Sequence, residues 1–418
     1  MKSGRLLTPK LLAILRRCVR SARRGLPLGF ERVIMKFDEN KRNINVLRNI
    51  IKDNKEVVAI VGAGTSKTLG IKNWHELLED MNKEFGSHID ITRSIAENGY
   101  ARTATILYNS IEKKITKDSY NTFMHKQFET KITNYIGVHI EILNIFKIIL
   151  TTNYDTSFEQ AFDARKRSIK RYGNQCDEKL TIWKLPYFKI TEIFSKLPLL
   201  VYLHGNNEEN KYIFLEDEYK HHYPSCYNNQ MPSELEIFLR DIFNNFYLVF
   251  IGFSFNDINF CKFYERVMKE FILNKEKYVS RYNEEYQLIL PKSFVIISNE
   301  ELKTSVGKKE IMNIFGKENN SWTSLFTNNV DDELFFKKNA DEIMKKNSYK
   351  YGLEEKIRGI YNECRSNQNR LDFLRRNNIN IIGFEGKIFK EIENILQELQ
   401  IQDVKTGNIL ELEDKNVI

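Results

Sequence analysis

The sequence predicts an α/β fold in which a Rossmann-like parallel sheet is flanked by helices and carries inserted helical modules. Short runs of Val, Ile, Leu or Phe without polar alternation occur at residues 57–61, 146–150, 199–203, 247–253 and 294–297. Strands that helices cover on both faces have this pattern. Helical stretches such as residues 74–85 and 233–246 separate the runs. This alternation of strand and helix is typical of a parallel sheet.

Residues 1–34 differ in composition from the rest of the chain. The 418 residues include 64 Lys and Arg against 56 Asp and Glu. Nine of these basic side chains and one acid, Glu31, fall within residues 1–34, so the remaining 55 basic and 55 acidic side chains balance. A basic amphipathic helix predicted over residues 8–25 suits a transit peptide, an anionic membrane contact or a partner-binding arm. The second interpretation is a disordered, non-essential extension, with Met35 as the true start.

The composition excludes several classes of protein. With 42% hydrophobic and 12% aromatic residues, the chain is not intrinsically disordered. The neutral charge of residues 35–418 gives no support for direct nucleic-acid binding by this part. The five cysteines are odd in number and widely spaced, which argues against a disulfide framework and favours the cytoplasm. No run approaches the ~18 apolar residues of a transmembrane span.

The first predicted strand is followed by small residues. Gly62, Ala63, Gly64, Thr65 and Ser66 come directly after Val57–Val61. Small residues let the backbone approach a pyrophosphate, and free N–H groups at the start of a following helix can bind it. Tight turns also use glycine, which is the second interpretation. The last glycine of the dehydrogenase fingerprint is replaced by Lys67, so this is not a dehydrogenase loop.

Three later strand ends also carry polar groups. Asn153 and Asp155 follow the run at 146–150, and His204 with Gly205 follows the run at 199–203. The alternative for Asp155 is that it caps the next helix, and a lone histidine is more often a satisfied polar residue than a catalytic one.

Residues 252–257 read Gly-Phe-Ser-Phe-Asn-Asp. Gly252 and Ser254 could hold phosphate or ribose, or could cap a helix. Ligands of open parallel sheets bind at the carboxyl ends of the strands, so the four segments point to one site.

The remaining segments predict the domain organisation. Residues 35–300 form the nucleotide-binding domain, with a helical insertion at about 86–145. Residues 301–400 form a helical accessory region that returns a last strand, at 380–384, and a helix to the sheet. Residues 401–418 are a tail.

The motifs Gly-Ala-Gly-x-Ser, Thr-x-Asn-x-Asp, His-Gly and Gly-x-Ser, in this order, resemble the sirtuin fold family, whose members bind NAD and cleave its bond to nicotinamide. The resemblance covers roughly residues 45–300. The segments 70–78, 151–155 and 250–257 are most similar to the sirtuin-like NAD-hydrolysing domains of bacterial antiphage defence systems.

Two departures from the deacetylase branch bear on the activity. The Pro-x-Phe-Arg segment of deacetylases is replaced by Gly-Ile-Lys-Asn-Trp at residues 70–74. Deacetylases also carry a zinc on four cysteines after the His-Gly motif, where this chain has only Cys226 and Cys261. We therefore expect no zinc or other metal, and the resemblance implies hydrolysis of NAD as substrate to nicotinamide and ADP-ribose.

The resemblance also implies roles for the candidate residues. Asn153 would hydrogen-bond the ribose or position the attacking water, and His204 would accept a proton. Asp155 would bind a hydroxyl or support its loop. The predicted NAD-binding groups are Gly62, Ala63, Gly64, Ser66, Asp155, Gly252, Ser254 and Asp257.

Two other functions share the same site. One is a catalytically silent module that senses NAD or ADP-ribose and acts as a scaffold, and the other is an ADP-ribosyltransferase. A hydrolase would exhaust the NAD of its own cell, so the resemblance implies a toxic effector of abortive infection that stays inactive until triggered. We expect a homo-oligomer with a separate activating partner, such as a DNA-translocating ATPase, an Argonaute-type protein or a signal-producing protein.

Overall fold

The structure is a computed structural model that describes residues 28–53, 56–112, 115–129, 136–171, 177–227, 231–282, 293–303, 353–386 and 390–400. The strands β1 to β9 span Val57–Val61, Ile148–Thr151, Thr181–Lys184, Leu199–Tyr202, Gly205–Asn206, Lys211–Tyr212, Tyr247–Ile251, Ser293–Ser298 and Ile379–Phe384. The helices α1 to α6 span Leu28–Lys52, Trp74–Phe85, Ile91–Asn98, Tyr100–Ile111, Lys117–Gln127 and Gly137–Ile145. The helices α7 to α12 span Ser157–Arg171, Glu216–His222, Glu234–Asn245, Ile258–Tyr282, Leu353–Arg376 and Lys390–Leu399. Short 3₁₀ helices lie at Ala63–Leu69, Ile190–Lys196, Pro224–Cys226 and Asn299–Leu302.

A seven-stranded sheet forms the centre of the fold, with strand order β3-β4-β2-β1-β7-β8-β9. Every neighbouring pair is parallel, which confirms the predicted α/β class. The five predicted strands are present, the first with the predicted bounds and the others with ends within two residues of those predicted, and β9 completes the sheet as predicted. The edge strand β3 and the β5–β6 hairpin were not predicted, because β3 is only half-buried and each hairpin strand has two residues.

Both faces of the sheet are covered by apolar side chains. On one face Ile60, Leu150 and Phe250 pack with residues of α9 and α10. On the other face Ala59, Ile149 and Val249 pack with residues of α1, α6, α7 and α12. Burying one large apolar side chain stabilises a fold by roughly 1.5–3 kcal/mol. The unbroken apolar runs therefore fit central strands that are covered on both faces.

A third apolar cluster lies at the carboxyl edge of the sheet. Side chains of α2, α4 and α5 pack there with Tyr154, which follows β2, and with Tyr212 and Phe214, which lie in and just after β6. The Trp74 ring contributes contacts to Tyr100 and Phe214, with centroid separations of 5.6 and 5.0 Å. The helices within the predicted insertion therefore buttress the edge where the candidate residues lie.

Helix α1 protects the outer edge of β9. Asn40 Nδ2 donates to Gly383 O at 2.6 Å, and Gly383 N donates to Asn40 Oδ1 at 3.0 Å. Asn43 Nδ2 donates to Ile381 O at 2.8 Å. These amides occupy backbone groups that an edge strand would otherwise leave open. Helix α1 runs across residue 35, so the change in composition does not coincide with the end of a helix; the helix predicted over residues 8–25 lies outside the described residues.

None of the helices in the described ranges is long and apolar enough to cross a membrane.

Candidate functional site at the carboxyl edge of the sheet

The glycines after β1 and β7 pack against each other. A Cβ added to Gly62 would lie 2.7 Å from Gly252 O, and one added to Gly64 would lie 2.8 Å from Gly252 Cα. Gly252 itself has φ +58°, and a Cβ there would lie 2.6 Å from Thr65 N. These distances are shorter than a carbon side chain tolerates. The three glycines are therefore required for backbone-to-backbone contact between two loops.

The expectation of free N–H groups after β1 is wrong at two positions. Gly64 N donates to Gly252 O at 2.9 Å, and Thr65 N donates to Gly62 O at 3.2 Å. The cause is that the segment forms a 3₁₀ helix packed under the β7 loop, where these donors find backbone acceptors. Ala63 is the first residue of this 3₁₀ helix and is partly exposed.

Asn153 is buried and is held by the loop after β1. Its Nδ2 donates to Gly62 O at 3.2 Å and to Ser66 Oγ at 3.1 Å. Asn153 is 7% exposed and Ser66 is fully buried. Within the described part of the chain, Asn153 Oδ1 has no hydrogen-bond partner. A buried acceptor that lacks a donor is costly, so this oxygen is suited to accept from a ligand hydroxyl or from water.

Asp155 lies two residues before helix α7. Its Oδ1 accepts from Ser157 N at 3.1 Å and also from the Ser157 hydroxyl. This is the capping arrangement that the sequence offered as the alternative to ligand binding. The other oxygen, Oδ2, is buried and has no partner among the residues described. The carboxylate thus caps the helix with one oxygen and leaves the second available.

His204 is buried beside two tyrosines and a carboxylate. Its side chain is 3% exposed, and Nε2 lies 2.9 Å from Tyr223 Oη and 3.7 Å from Asp257 Oδ2. The rings of Tyr219 and Tyr223 stand edge-on to the imidazole, with centroids 5.6 and 5.9 Å away. Burial lowers the pKa of His204 to about 3, so the free imidazole is neutral at physiological pH.

Asp257 links this cluster to helix α10. Its Oδ1 accepts from Asn259 N and Phe260 N at 3.1 and 3.0 Å, so Asp257 caps the helix. Its Oδ2 accepts from Tyr219 Oη at 3.1 Å. Burial raises the pKa of the carboxyl group to about 6, and the three donated hydrogen bonds counteract this rise.

Tyr219 and Tyr223 were not singled out from the sequence. Tyr219 lies within α8 and Tyr223 directly follows it, and residues four apart lie on the same face of a helix. That spacing is visible in the sequence, but it does not show which polar side chains the hydroxyls contact. Tyr219 also lies against Trp74, with ring centroids 6.2 Å apart, which connects the 70–78 segment to the His204 cluster.

The predicted residues form two adjoining groups. Gly62, Gly64, Ser66, Asn153 and Gly252 contact one another on the β1 side, whereas His204 contacts Asp257. The β7 loop belongs to both groups, since it begins at Gly252 and ends at Asp257. Ser254 lies within this loop with an exposed side chain. The described part of the chain shows no group of three His, Cys, Asp or Glu side chains that could hold a metal ion.

Comparison with known proteins gives a family match in the central part of the chain. Residues 147–316 match the sequence family described as SIR2-like domain. The match covers less than half of the chain. The match includes Asn153, Asp155, His204 and the β7 loop, and the 62–66 segment precedes it.

A second similarity extends over a longer stretch of the chain. The chain is 25% identical over 222 residues to a protein named NAD(+) hydrolase ThsA from Bacillus cereus (strain MSX-D12). This similarity covers 53% of the chain and 41% of the relative. The chain therefore matches about two fifths of that relative's length.

Proposed function

We propose that this chain is an NAD+ hydrolase that releases nicotinamide and ADP-ribose. The observation that carries the proposal is the Asn153 side chain at the carboxyl edge of the sheet. It is fixed by Gly62 O and Ser66 Oγ, and its buried Oδ1 has no hydrogen-bond partner among the residues that the structure describes. A neutral buried histidine, His204, lies at the end of the next strand in the sheet. The relative named NAD(+) hydrolase ThsA supports the same activity.

In this proposal the glycosidic bond breaks first. The bonding electrons leave with the nicotinamide nitrogen, which becomes neutral, and positive charge develops on the ribose. No acid is needed for this leaving group. Asn153 Oδ1 would accept a hydrogen bond from a ribose hydroxyl or from the attacking water, and so orient it against the charged ribose carbon.

His204 would take the proton of the attacking water. The tautomer with its proton on Nε2 donates to Tyr223 Oη, which leaves Nδ1 as the acceptor. The water oxygen bonds to the ribose carbon, and the proton passes through His204 to solvent. Asp257, when ionised, would stabilise the positive imidazolium across the 3.7 Å separation.

The roles of the remaining candidates are also proposals. Ala63 and Ser254, which lie on the exposed side of the two packed loops, would contact the phosphates or a ribose. Gly62, Gly64 and Gly252 would shape the loops, Ser66 would orient Asn153, and Asp155 Oδ2 would accept from a ribose hydroxyl.

The biological setting follows from the resemblance to defence-system domains. We propose that the chain is a toxic effector of antiphage abortive infection, held inactive as part of a homo-oligomer or by a separate partner. Loss of cellular NAD on expression, compared between the wild type and His204→Ala with and without the neighbouring gene products, tests this part of the proposal.

The experiment that tests the activity is product analysis by mass spectrometry after incubation of purified protein with NAD. We expect equimolar nicotinamide and ADP-ribose, with incorporation of ¹⁸O from labelled water into ADP-ribose. Detection of ADP-ribose attached to a protein or nucleic acid would contradict hydrolysis and show that the chain is an ADP-ribosyltransferase. If the protein binds NAD but forms no product, even in the presence of the neighbouring gene products, the chain is a catalytically silent sensing module and not an enzyme.

A further inference from the structure

Arg370 is a buried cation on helix α11, within the predicted accessory region. It is 7% exposed, and its Nε donates to Ser254 O at 2.7 Å. Its Nη1 donates to Glu301 O at 2.5 Å and to Asn367 Oδ1 at 3.0 Å. The guanidinium thus bonds two backbone carbonyls that follow different strands, β7 and β8. A planar fork of donors is suited to this task, whereas the single ammonium group of lysine is not.

The bond to Ser254 O acts on a strained part of the β7 loop. Phe255 has φ +54°, which is a rare conformation for a bulky residue. The carbonyl of Ser254 and the nitrogen of Phe255 belong to one rigid peptide unit. Arg370 therefore fixes the orientation of the peptide unit that precedes the strained residue.

The surroundings of Phe255 add to this restraint. Its ring lies 5.0 Å from Phe250 and 5.1 Å from Phe253, measured between centroids. Phe373, from α11, lies 5.4 Å from the same ring. Helix α11 thus holds both the backbone and the side chain of the loop segment that lies between Gly252 and Asp257.

Asn367 anchors the same helix to the loop after β8. Its Nδ2 donates to Glu300 O at 3.3 Å and to Lys303 O at 2.9 Å. Since Asn367 Oδ1 accepts from Arg370, the two side chains form one unit between the β7 and β8 loops. The position of Arg370 is therefore fixed by the protein and does not depend on a ligand.

We infer that Arg370 is a positioning residue, which holds the 254–257 segment so that Ser254 is placed for ligand binding and Asp257 is placed beside His204. The inference rests on the proposed function for the identity of the ligand. It assigns to the accessory helix α11 a direct part in building the site, without any contact between Arg370 and the substrate.

The test compares Arg370→Gln and Arg370→Lys with Arg375→Gln, an exposed arginine on the same helix. Amide hydrogen exchange of residues 254–257 and the Kd for ADP-ribose are measured for each full-length protein. Loss of a charge-assisted hydrogen bond predicts about tenfold faster exchange and about tenfold weaker binding in Arg370→Gln. We expect Arg370→Lys to show smaller changes in the same direction, and Arg375→Gln to match the wild type.

The variant Leu374→Ala shows whether Arg370 acts by positioning the loop or only by stabilising the fold. It removes a fully buried side chain of α11. This variant is expected to lower Tm while leaving the Kd within about twofold, since it leaves the Ser254 bond intact. Wild-type exchange and Kd in both Arg370 variants would overturn the inference. If Arg370→Gln does not fold, the exchange rates and the Kd of Arg370→Lys alone test the inference.

Failure of the two proposals can be told apart. Wild-type protein that neither binds ADP-ribose nor cleaves NAD would contradict the proposed function. The exchange rates of residues 254–257 would still decide whether Arg370 holds the loop, because that measurement needs no ligand.

Discussion

Asp257 Oδ2 lies 3.7 Å from His204 Nε2, although the two residues follow different strands of the sheet, β7 and β4. The carboxylate is bonded to the amides at the start of α10 and to Tyr219, so its position is fixed before any substrate binds. The proximity gives His204 a neighbour that can balance a positive charge. It moves the proposed role of Asp257 from binding NAD to supporting the histidine.

The pH dependence of activity should report on Asp257. Burial raises the pKa of this carboxyl group to about 6, so ionisation, and with it support of a protonated His204, is complete only above that pH. We expect kcat/KM for NAD to rise between pH 5 and 7 with a midpoint near 6. In Asp257→Asn this rise should be absent and the activity at pH 7.5 should be at least about tenfold lower. Asp217→Asn, an exposed change on α8, is the control, and an unchanged profile in Asp257→Asn would contradict the assignment.

Loss of either proposed catalytic side chain should remove most of the activity. Asn153→Ala and His204→Ala are each expected to lower kcat at least about 100-fold, the range for a positioned base or orienting group. The matched controls are Asn245→Ala and His221→Ala, which change exposed side chains. Steady-state NAD cleavage is the measurement. Full activity in Asn153→Ala or His204→Ala would reject the corresponding role.

The hydroxyl of Tyr223 should affect the activity only through its contact with His204. Tyr223→Phe keeps the ring packing and removes the 2.9 Å contact to Nε2. We expect kcat to fall roughly tenfold with little change in KM, and the free energy of unfolding to fall by about 1–3 kcal/mol because Nε2 loses its partner. Chemical denaturation and initial rates measure the two effects. An unchanged kcat would show that the contact is only structural.

The contact between the glycine loops should appear as a difference between two alanine variants. Gly252 and Gly86 have similar φ values, +58° and +61°, but only at Gly252 would a Cβ meet other atoms. Gly86→Ala is expected to destabilise the protein by about 1 kcal/mol through backbone strain. Gly252→Ala should lose at least about 2 kcal/mol more from overpacking. Equal losses measured by urea unfolding would show that the loops can separate without penalty.

Stability should depend on pH through Glu159. Burial raises the pKa of this carboxyl group to about 7, while it accepts from Tyr202 Oη at 2.6 and 2.7 Å. The native state therefore favours the protonated form. The resulting stabilisation is fully present below the unfolded-state pKa of about 4.5 and is lost as pH rises through 7. Glu159→Gln should lack this loss, so its Tm relative to the wild type should increase between pH 5 and 8.

Much of the sheet could be predicted from the sequence, because strands covered on both faces are marked by unbroken apolar runs. The same runs locate the carboxyl edge, and so place Asn153, His204 and the 252–257 segment there. The edge strand β3 has no unbroken apolar run, because the residues of a half-buried strand are not uniformly apolar. The hairpin strands were too short to show a periodicity.

The sequence by itself determined the fold class, the order of the motifs along the chain and the edge of the sheet that bears them. Only the tertiary structure decided which groups touch. It showed that the glycines pack loop against loop, that Asp257 lies beside His204, and that Tyr219, Tyr223 and Arg370 complete their surroundings. The physical reason is that strand patterns are local, set by burial and backbone geometry within a few residues. Hydrogen bonds between loops depend on strand order and helix packing, and these are properties of the whole folded chain.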